Sequence, residues 1–481
     1  MSNLAKESAM NRINALLDEN SFVEIGGLVT ARSTDFNMQD KVAASDGVIT
    51  GYGVIDNSLV YVYSQDASIL GGTVGEMHAK KISRLYDMAV KMGAPVVALV
   101  DCAGLRLEEA ADALNAFGEV YAKQAAASGI VPQVTAVFGT CGGGMGVMAS
   151  LSDFTFMAED GKLFVNAPNT LDGNRAEKCD TASAAYQAEV SGMADYTGTE
   201  DEVLAGIRQL VSVLPMNNDD FAEEQCADDL NRVCENLADC VGDTEIALEN
   251  LADAGTFFEI KKAYAKNMVT GFMKLNGITV GAVANRAAVY DEEGKAEELG
   301  TALTAEGCEK AADFVNFCDA FNIPVLTLTN ASGFAATVDN EKRIAKAAAK
   351  LTYAYAEATV PKVNVVVGQA MGNAYNVMNS KACNADIVYA WPDAKIGTMD
   401  SDAAVRIIYA EEIKKAEDSV AFINEKKAEY ETLQVSAASA AKRGYVDSII
   451  APEDTRKYVI GAFEMLYTKK EECPAKKHGT V

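Results

Sequence analysis

Two short runs of small residues hold most of the chemistry that this sequence can offer. The first is Cys141-Gly142-Gly143-Gly144-Met145-Gly146 and the second is Ala370-Met371-Gly372-Asn373-Ala374-Tyr375. Each follows an apolar run of strand character and precedes a helical pattern. The first amides of such a helix have no carbonyl one turn back, so they point into the space at the corner and can hold an oxyanion. Neither run continues as Gly-Lys-Ser/Thr, which disfavours a phosphate-binding P-loop, and Gly139-Thr140-Cys141 lacks the second glycine of a dinucleotide fingerprint. Side-chain catalysts are scarce. The only histidines are His78 and His478, neither beside a plausible nucleophile, and His78 after Gly71-Gly72-Thr73 is expected to pack or hydrogen-bond rather than act as a base. The ten cysteines show no paired ligand spacing, Cys234 and Cys240 being the closest pair, so no metal is expected. What remains is chemistry in which backbone donors stabilise an enolate or a ureido oxyanion.

The elements that must position these corners come in duplicate. Ala94-Pro95-Val96-Val97-Ala98-Leu99-Val100, running into Asp101-Cys102-Ala103-Gly104, matches Ile323-Pro324-Val325-Leu326-Thr327-Leu328-Thr329, running into Asn330-Ala331-Ser332-Gly333. Val131-Pro132-Gln133-Val134 and Phe138-Gly139 match Val360-Pro361-Lys362-Val363 and Val367-Gly368. Pro95 and Pro324, Gly104 and Gly333, Pro132 and Pro361, Gly139 and Gly368, and Gly143 and Gly372 all lie 229 positions apart. One register across five landmarks is the mark of an internal duplication. The weaker pair Ser21–Ile25 and Thr256–Ile260 opens each half. The matched runs are short and uniformly apolar, so buried strands covered by helices are expected, with helices over 75–91 and 305–322 preceding them.

The chain has 481 residues, enough for two α/β domains with substantial cores, placed at 1–245 and 246–481. The acidic stretch from Asn217 to Asp253 reads as a solvated connector between them, and Glu411 to Glu431 as an exposed or partner-facing helix. A formal charge of −27 argues against a nucleic-acid partner. Met1 to Asn20 has no apolar core and no run reaches the ~18 apolar residues of a membrane span, so a cytoplasmic protein is expected.

Longer strings carry a family resemblance. They include Val60-Tyr61-Val62-Tyr63-Ser64-Gln65-Asp66 with Gly71-Gly72, Ser152-Asp153-Phe154-Thr155-Phe156-Met157, Phe317 to Pro324, Tyr353 to Val363, and Tyr389-Ala390-Trp391-Pro392. From Asn11 to Ile450 the chain resembles the carboxyltransferase (beta) subunits of propionyl-CoA carboxylase and the alpha subunits of acyl-CoA decarboxylases. The resemblance implies a crotonase-like β-β-α superhelix in each half, with acyl-CoA on the first and biotin, carried by a separate chain, on the second. It implies a homo-oligomer, a dimer or trimer of dimers, working with a biotin carrier protein and a biotin carboxylase or membrane decarboxylase subunit. By the same resemblance Gly143 and Gly144 supply one oxyanion hole, and Asn373 and Ala374 the other. Gly71, Gly72, Gly104, Arg106, Gly142, Gly333, Phe334, Gly372, Tyr375 and Asn376 line the substrates. Lengthening Gly144 to Val is then expected to remove turnover and spare the fold.

The chain departs from the family at several of these places. Gly-Gly-Ala-Tyr-Asp becomes Gly372-Asn373-Ala374-Tyr375-Asn376, Asp-Ser-Gly-Gly-Ala-Arg becomes Asp101 to Arg106, Pro-Gly-Phe becomes Ser332-Gly333-Phe334, and Met-Gly with a later Gly-Ala becomes Met399 to Ala404. These changes motivate an alternative, a catalytically impaired relative that binds acyl-CoA or scaffolds a biotin complex.

Overall fold

The computed structural model describes residues 2–32, 38, 43–221, 226, 228–290 and 294–481, with the side chains of 2–7 left aside. It divides into two compact units, 1–222 and 223–481. In the first, eight strands form one sheet: β1 (Val23–Glu24), β2 (Val48–Ile55), β3 (Ser58–Gln65), β4 (Val96–Cys102), β5 (Gln133–Gly142), β6 (Phe154–Ala158), β7 (Lys162–Phe164) and β8 (Tyr196–Gly198). Their order is β1-β2-β3-β4-β5-β6-β8, with β7 beside the end of β5. Strands β1 to β3 are antiparallel, and from β3 onward the ladder is parallel.

The second unit repeats this plan with β9 (Phe258–Ile260), β10 (Met268–Leu275) and β11 (Ile278–Asn285). Two minor ribbons follow, β12 (Ala288–Tyr290) with β13 (Ala296–Glu298), and β14 (Ala302–Leu303) with the later β16 (Gly333–Phe334). Strands β15 (Val325–Ala331), β17 (Lys362–Met371), β18 (Ile387–Ala390), β19 (Lys395–Gly397) and β20 (Ser448–Ile449) complete it. The order β20-β18-β17-β15-β11-β10-β9, with β19 beside β17, is that of the first sheet. Both are crotonase-like β-β-α units, as expected.

Register makes the duplication quantitative. Val96 faces Gln133 and Val325 faces Lys362, and the pairs advance together to Val100–Val137 and Thr329–Val366. Both ladders then slip, resuming at Cys102–Cys141 and Ala331–Ala370. One cause serves both slips: the Thr140 amide donates to Asp101 Oδ1 at 3.2 Å, and the Gln369 amide to Asn330 Oδ1 at 3.0 Å. A Cβ at Gly139 or Gly368 would collide with those side chains, which is why glycine stands there. The strands β4 and β15 are buried almost throughout, as parallel strands covered on both faces must be.

Helices form where expected, at Glu76–Met92 and Ala305–Ala320. The first ends on Gly93 at φ +62°, whose amide caps the Ala89 carbonyl. The two units divide at 222/223 rather than near 245, because the acidic segment from Asp228 onward packs with the second unit. Leu237, Ala247, Leu248 and Leu251 join its core. Arg232 donates to the Asn250 and Ala252 carbonyls, and buried Arg456 pairs with Asp253 at 2.5 Å. Part of the acidity of this segment is therefore taken up by the buried Arg456. The stretch from Glu411 to Glu431 is two helices, Ala410–Lys415 and Ser419–Tyr430, the second capped by the Asp418 carboxylate.

Candidate active site

In the first unit, β5 ends at the corner Gly142-Gly143-Gly144 and the helix Gly144–Ser150 follows. Gly143 has φ +60° and ψ −121°, a conformation open to glycine, and nothing stands within 4 Å of where its Cβ would be. Its amide, however, donates to the Phe164 carbonyl of β7 at 2.9 Å. That bond corrects the expected donor pair. The amides left without a carbonyl one turn back are those of Gly144 and Met145, the first two residues of the helix. Gly144 is packed from behind: its carbonyl accepts from the Tyr121 hydroxyl at 2.9 Å, and a Cβ would stand 2.8 Å from that hydroxyl and 3.0 Å from the Phe117 ring. Enlarging Gly144 therefore disturbs packing as well as the corner, contrary to expectation.

Around this corner the structure gathers most of the glycines singled out. Gly104, at φ +117°, lies against Gly142, whose carbonyl would be 3.2 Å from an added Cβ. The Gly71 carbonyl accepts from the Ala103 amide at 3.1 Å, and Gly72 presses on the Asp101 carbonyl, so the Gly71-Gly72 loop is seated on the end of β4. Arg106 is different. It is 1% exposed and its guanidinium is consumed by Asp46 at 2.5 Å, Glu109 at 2.8 Å and the Thr73 carbonyl at 2.7 Å. Wholly buried among these partners, it ties the loop before the Glu76–Met92 helix to the segment after β4.

His78 is fully buried, its Nδ1 2.9 Å from the Asp46 carbonyl and its Nε2 3.1 Å from Gln65 Nε2. Burial, reinforced by the nearby Arg106 charge, holds its pKa down to about 3. With Nε2 accepting from Gln65, the neutral ring is fixed as the Nδ1–H tautomer. Gln65 Nε2 also lies 3.8 Å from Met145 Sδ, so this buried group touches the residue bearing the second donor amide. Burial likewise raises the Cys102 thiol to about 12, and it raises Cys141 further. Neither cysteine is a nucleophile near neutral pH.

In the second unit, β17 ends at Met371 and Gly372, at φ +59°, opens the helix Gly372–Val377. Asn373 and Ala374 occupy the places of Gly144 and Met145 in the shared register. This corner borders a cavity of about 530 Å³ lined by Gly372, Asn373, Tyr375 and Asn376. Asn373 Oδ1 accepts from Asn376 Nδ2 at 3.3 Å, so the side chain that replaces glycine is tied back to its own helix. Burial raises the Tyr375 hydroxyl above its usual value. Gly333 and Phe334, in β16, lie against the same helix.

The other walls were not foreseen. They come from Ile396 and Gly397 of β19 and Thr398 after it, from Tyr430 and Gln434, and from Ala440, Arg443 and Tyr445. The only hint in the sequence was aromatic: Tyr430 and Tyr445 interrupt an otherwise polar, small-residue stretch. Among the described residues no group of three or more His, Cys, Asp or Glu is arranged to hold a metal ion, and no helix is long and apolar enough to cross a membrane.

Comparison with known proteins matches residues 3–481 to the carboxyl transferase domain family. The chain is 39% identical to methylmalonyl-CoA decarboxylase subunit alpha of Propionigenium modestum, over 99% of this chain and 93% of that one. It is 40% identical to the propionyl-CoA carboxylase beta chain of Roseobacter denitrificans, over 99% and 94%. Among solved structures it is similar to a hexameric transcarboxylase 12S with methylmalonyl-coenzyme A and methylmalonic acid bound. The TM-score there is 0.93, at 35% identity, covering 98% of this chain and 91% of the other.

Proposed function

The chain belongs to the carboxyl transferase domain family, and from that membership we propose that it moves a carboxyl group between carboxylated biotin and a short acyl-CoA such as propionyl- or methylmalonyl-CoA. The observation that carries this reading is the pair of strand-to-helix corners, Gly143-Gly144-Met145 and Gly372-Asn373-Ala374, set in one register of two repeated sheets. A transfer between two reactants that each develop a negative oxygen needs two such corners. At the first, the amides of Gly144 and Met145 hold the thioester oxygen as the α-carbon becomes enolate-like. Oxyanion donors of this kind are worth about 3 kcal/mol each.

At the second, the residues suit a bicyclic urea: Tyr375, Tyr430 and Tyr445 offer flat rings, and Asn373, Asn376, Thr398, Gln434 and Arg443 offer polar atoms. When bound, carboxylated biotin would supply the carboxyl group and, in the reverse direction, bare biotin would accept it. The amides of Asn373 and Ala374 hold the ureido oxygen, and the aromatic walls exclude water that would divert the carboxylate. Biotin arrives on a carrier protein, and the chain works as a cytoplasmic homo-oligomer with a biotin carboxylase or a membrane decarboxylase subunit. The Asn373–Asn376 hydrogen bond speaks against the impaired-relative alternative, because it gives the substituting side chain a partner on its own helix.

The test is incubation of the purified protein with methylmalonyl-CoA, malonyl-CoA or glutaconyl-CoA, with and without free biotin, following loss of the acyl-CoA carboxylate. Biotin-stimulated decarboxylation of at least one is expected. Absence of turnover with all three contradicts the proposal.

A further inference from the structure

One wall of the second cavity is built around a rare element. The Ser419–Tyr430 helix runs directly into a five-residue π-turn, Glu431–Val435, a form found frequently at functional sites. Side chains secure this turn at nearly every position. Ser401 donates to the Glu431 carboxylate at 2.7 Å, the Thr398 and Tyr430 hydroxyls are 3.0 Å apart, and Ser439 donates to the Leu433 carbonyl at 2.5 Å. Arg443 donates to the Leu433 carbonyl at 3.1 Å and to Gln434 Oε1 at 3.0 Å. Because a guanidinium has no acceptor, the Gln434 atom that faces it must be the oxygen, which turns Nε2 the other way.

Gln434 lines the cavity, and its Nε2 has no partner among the described residues. The lining includes one cation, Arg443, and no carboxylate, although the protein as a whole carries −27. Such a wall presents donors to an incoming acceptor oxygen.

We propose that Gln434 is a specificity-determining residue of this cavity, oriented by Arg443 so that its amide N–H donates to the carboxyl oxygen carried on the ureido ring. The inference rests on the reading of this cavity as the biotin side and adds the residue that distinguishes a carboxylated ring from a bare one. Gln434→Glu keeps an oxygen for Arg443 and replaces the donor with a second oxygen, so the turn is retained and the recognition reversed. Gln434 is exposed and, among the described residues, is bonded to Arg443 alone, so the variant folds.

The probes are biotin methyl ester and its N-methoxycarbonyl derivative, a stable mimic of the carboxylated ring, titrated against the full-length protein by saturation-transfer NMR. Wild type is expected to prefer the mimic, and Gln434→Glu to lose that preference by about tenfold, with the KM for acyl-CoA within twofold of wild type. A preference unchanged within twofold in Gln434→Glu, or absent in wild type while both probes bind, overturns the inference alone. Failure of wild type to bind either probe removes the biotin reading, and the inference falls with it.

Discussion

At Gly143 the backbone takes φ +60° and ψ −121° while open space surrounds the missing Cβ. A methyl group there meets no atom, so Gly143→Ala tests conformation without crowding. Forcing alanine into this region costs about 1–3 kcal/mol. The expected outcome is a lower melting temperature together with a loss of acyl-CoA turnover as the corner relaxes; an alanine variant equal to wild type in both would contradict the geometry. His78 gives a second prediction at this scale. The folded protein holds its pKa near 3 by burial, whereas the unfolded chain titrates near 6.5. Between those values the unfolded state takes up a proton that the folded state refuses, so stability falls as pH drops from about 6.5 toward 3, by up to ~1.4 kcal/mol per unit. Urea denaturation at pH 7.5 and pH 5 should show a smaller acid-induced loss in His78→Gln than in wild type. Equal losses would mean that His78 is not held neutral.

Among the elements, the loop before the Glu76–Met92 helix is bound by Arg106, Asp46 and Glu109, whose side chains are wholly buried. Removing the arginine strands two carboxylates, so Arg106→Met should cost about 3–5 kcal/mol in chemical denaturation of the unliganded protein. A variant of wild-type stability with a raised KM for acyl-CoA would restore the substrate-binding role expected from the sequence. The sequence carried the strands β4, β5, β15 and β17 because their apolar runs, prolines and glycines kept one spacing. It did not carry the repeat of the hairpins, where Val48–Gln65 and Met268–Asn285 pair alike at an offset of 220. These hairpins share burial and pairing rather than residue identity, and the linker to the next strand differs in length, which breaks the spacing. The donor pair was half legible. Gly143 and Gly372 share the 229 offset, so the partners of Asn373 and Ala374 are Gly144 and Met145; the Phe164 carbonyl that occupies Gly143 belongs to β7 and has no signature in the corner itself. The π-turn left no sequence signal either, since its hydrogen bonds come from Ser401, Thr398, Ser439 and Arg443 on other elements.

For the whole molecule, two units of one topology each present a corner of the same make, one corner for each proposed reactant. The division of labour predicts separable defects: Gly143→Ala should impair use of acyl-CoA while leaving the preference for the methoxycarbonyl biotin mimic unchanged, and loss of both would show that the corners do not act on separate ligands. Because the chain carries −27 overall, the absence of carboxylates from the lining of the second cavity is a feature of the site rather than of composition. The most direct measurement is a crystal structure of the protein soaked with a non-reactive acyl-CoA thioester analogue and free biotin. The thioester oxygen is expected at about 3 Å from the amides of Gly144 and Met145, and the ureido oxygen at about 3 Å from those of Asn373 and Ala374. Either oxygen bound away from its corner, with both ligands ordered, would contradict that placement.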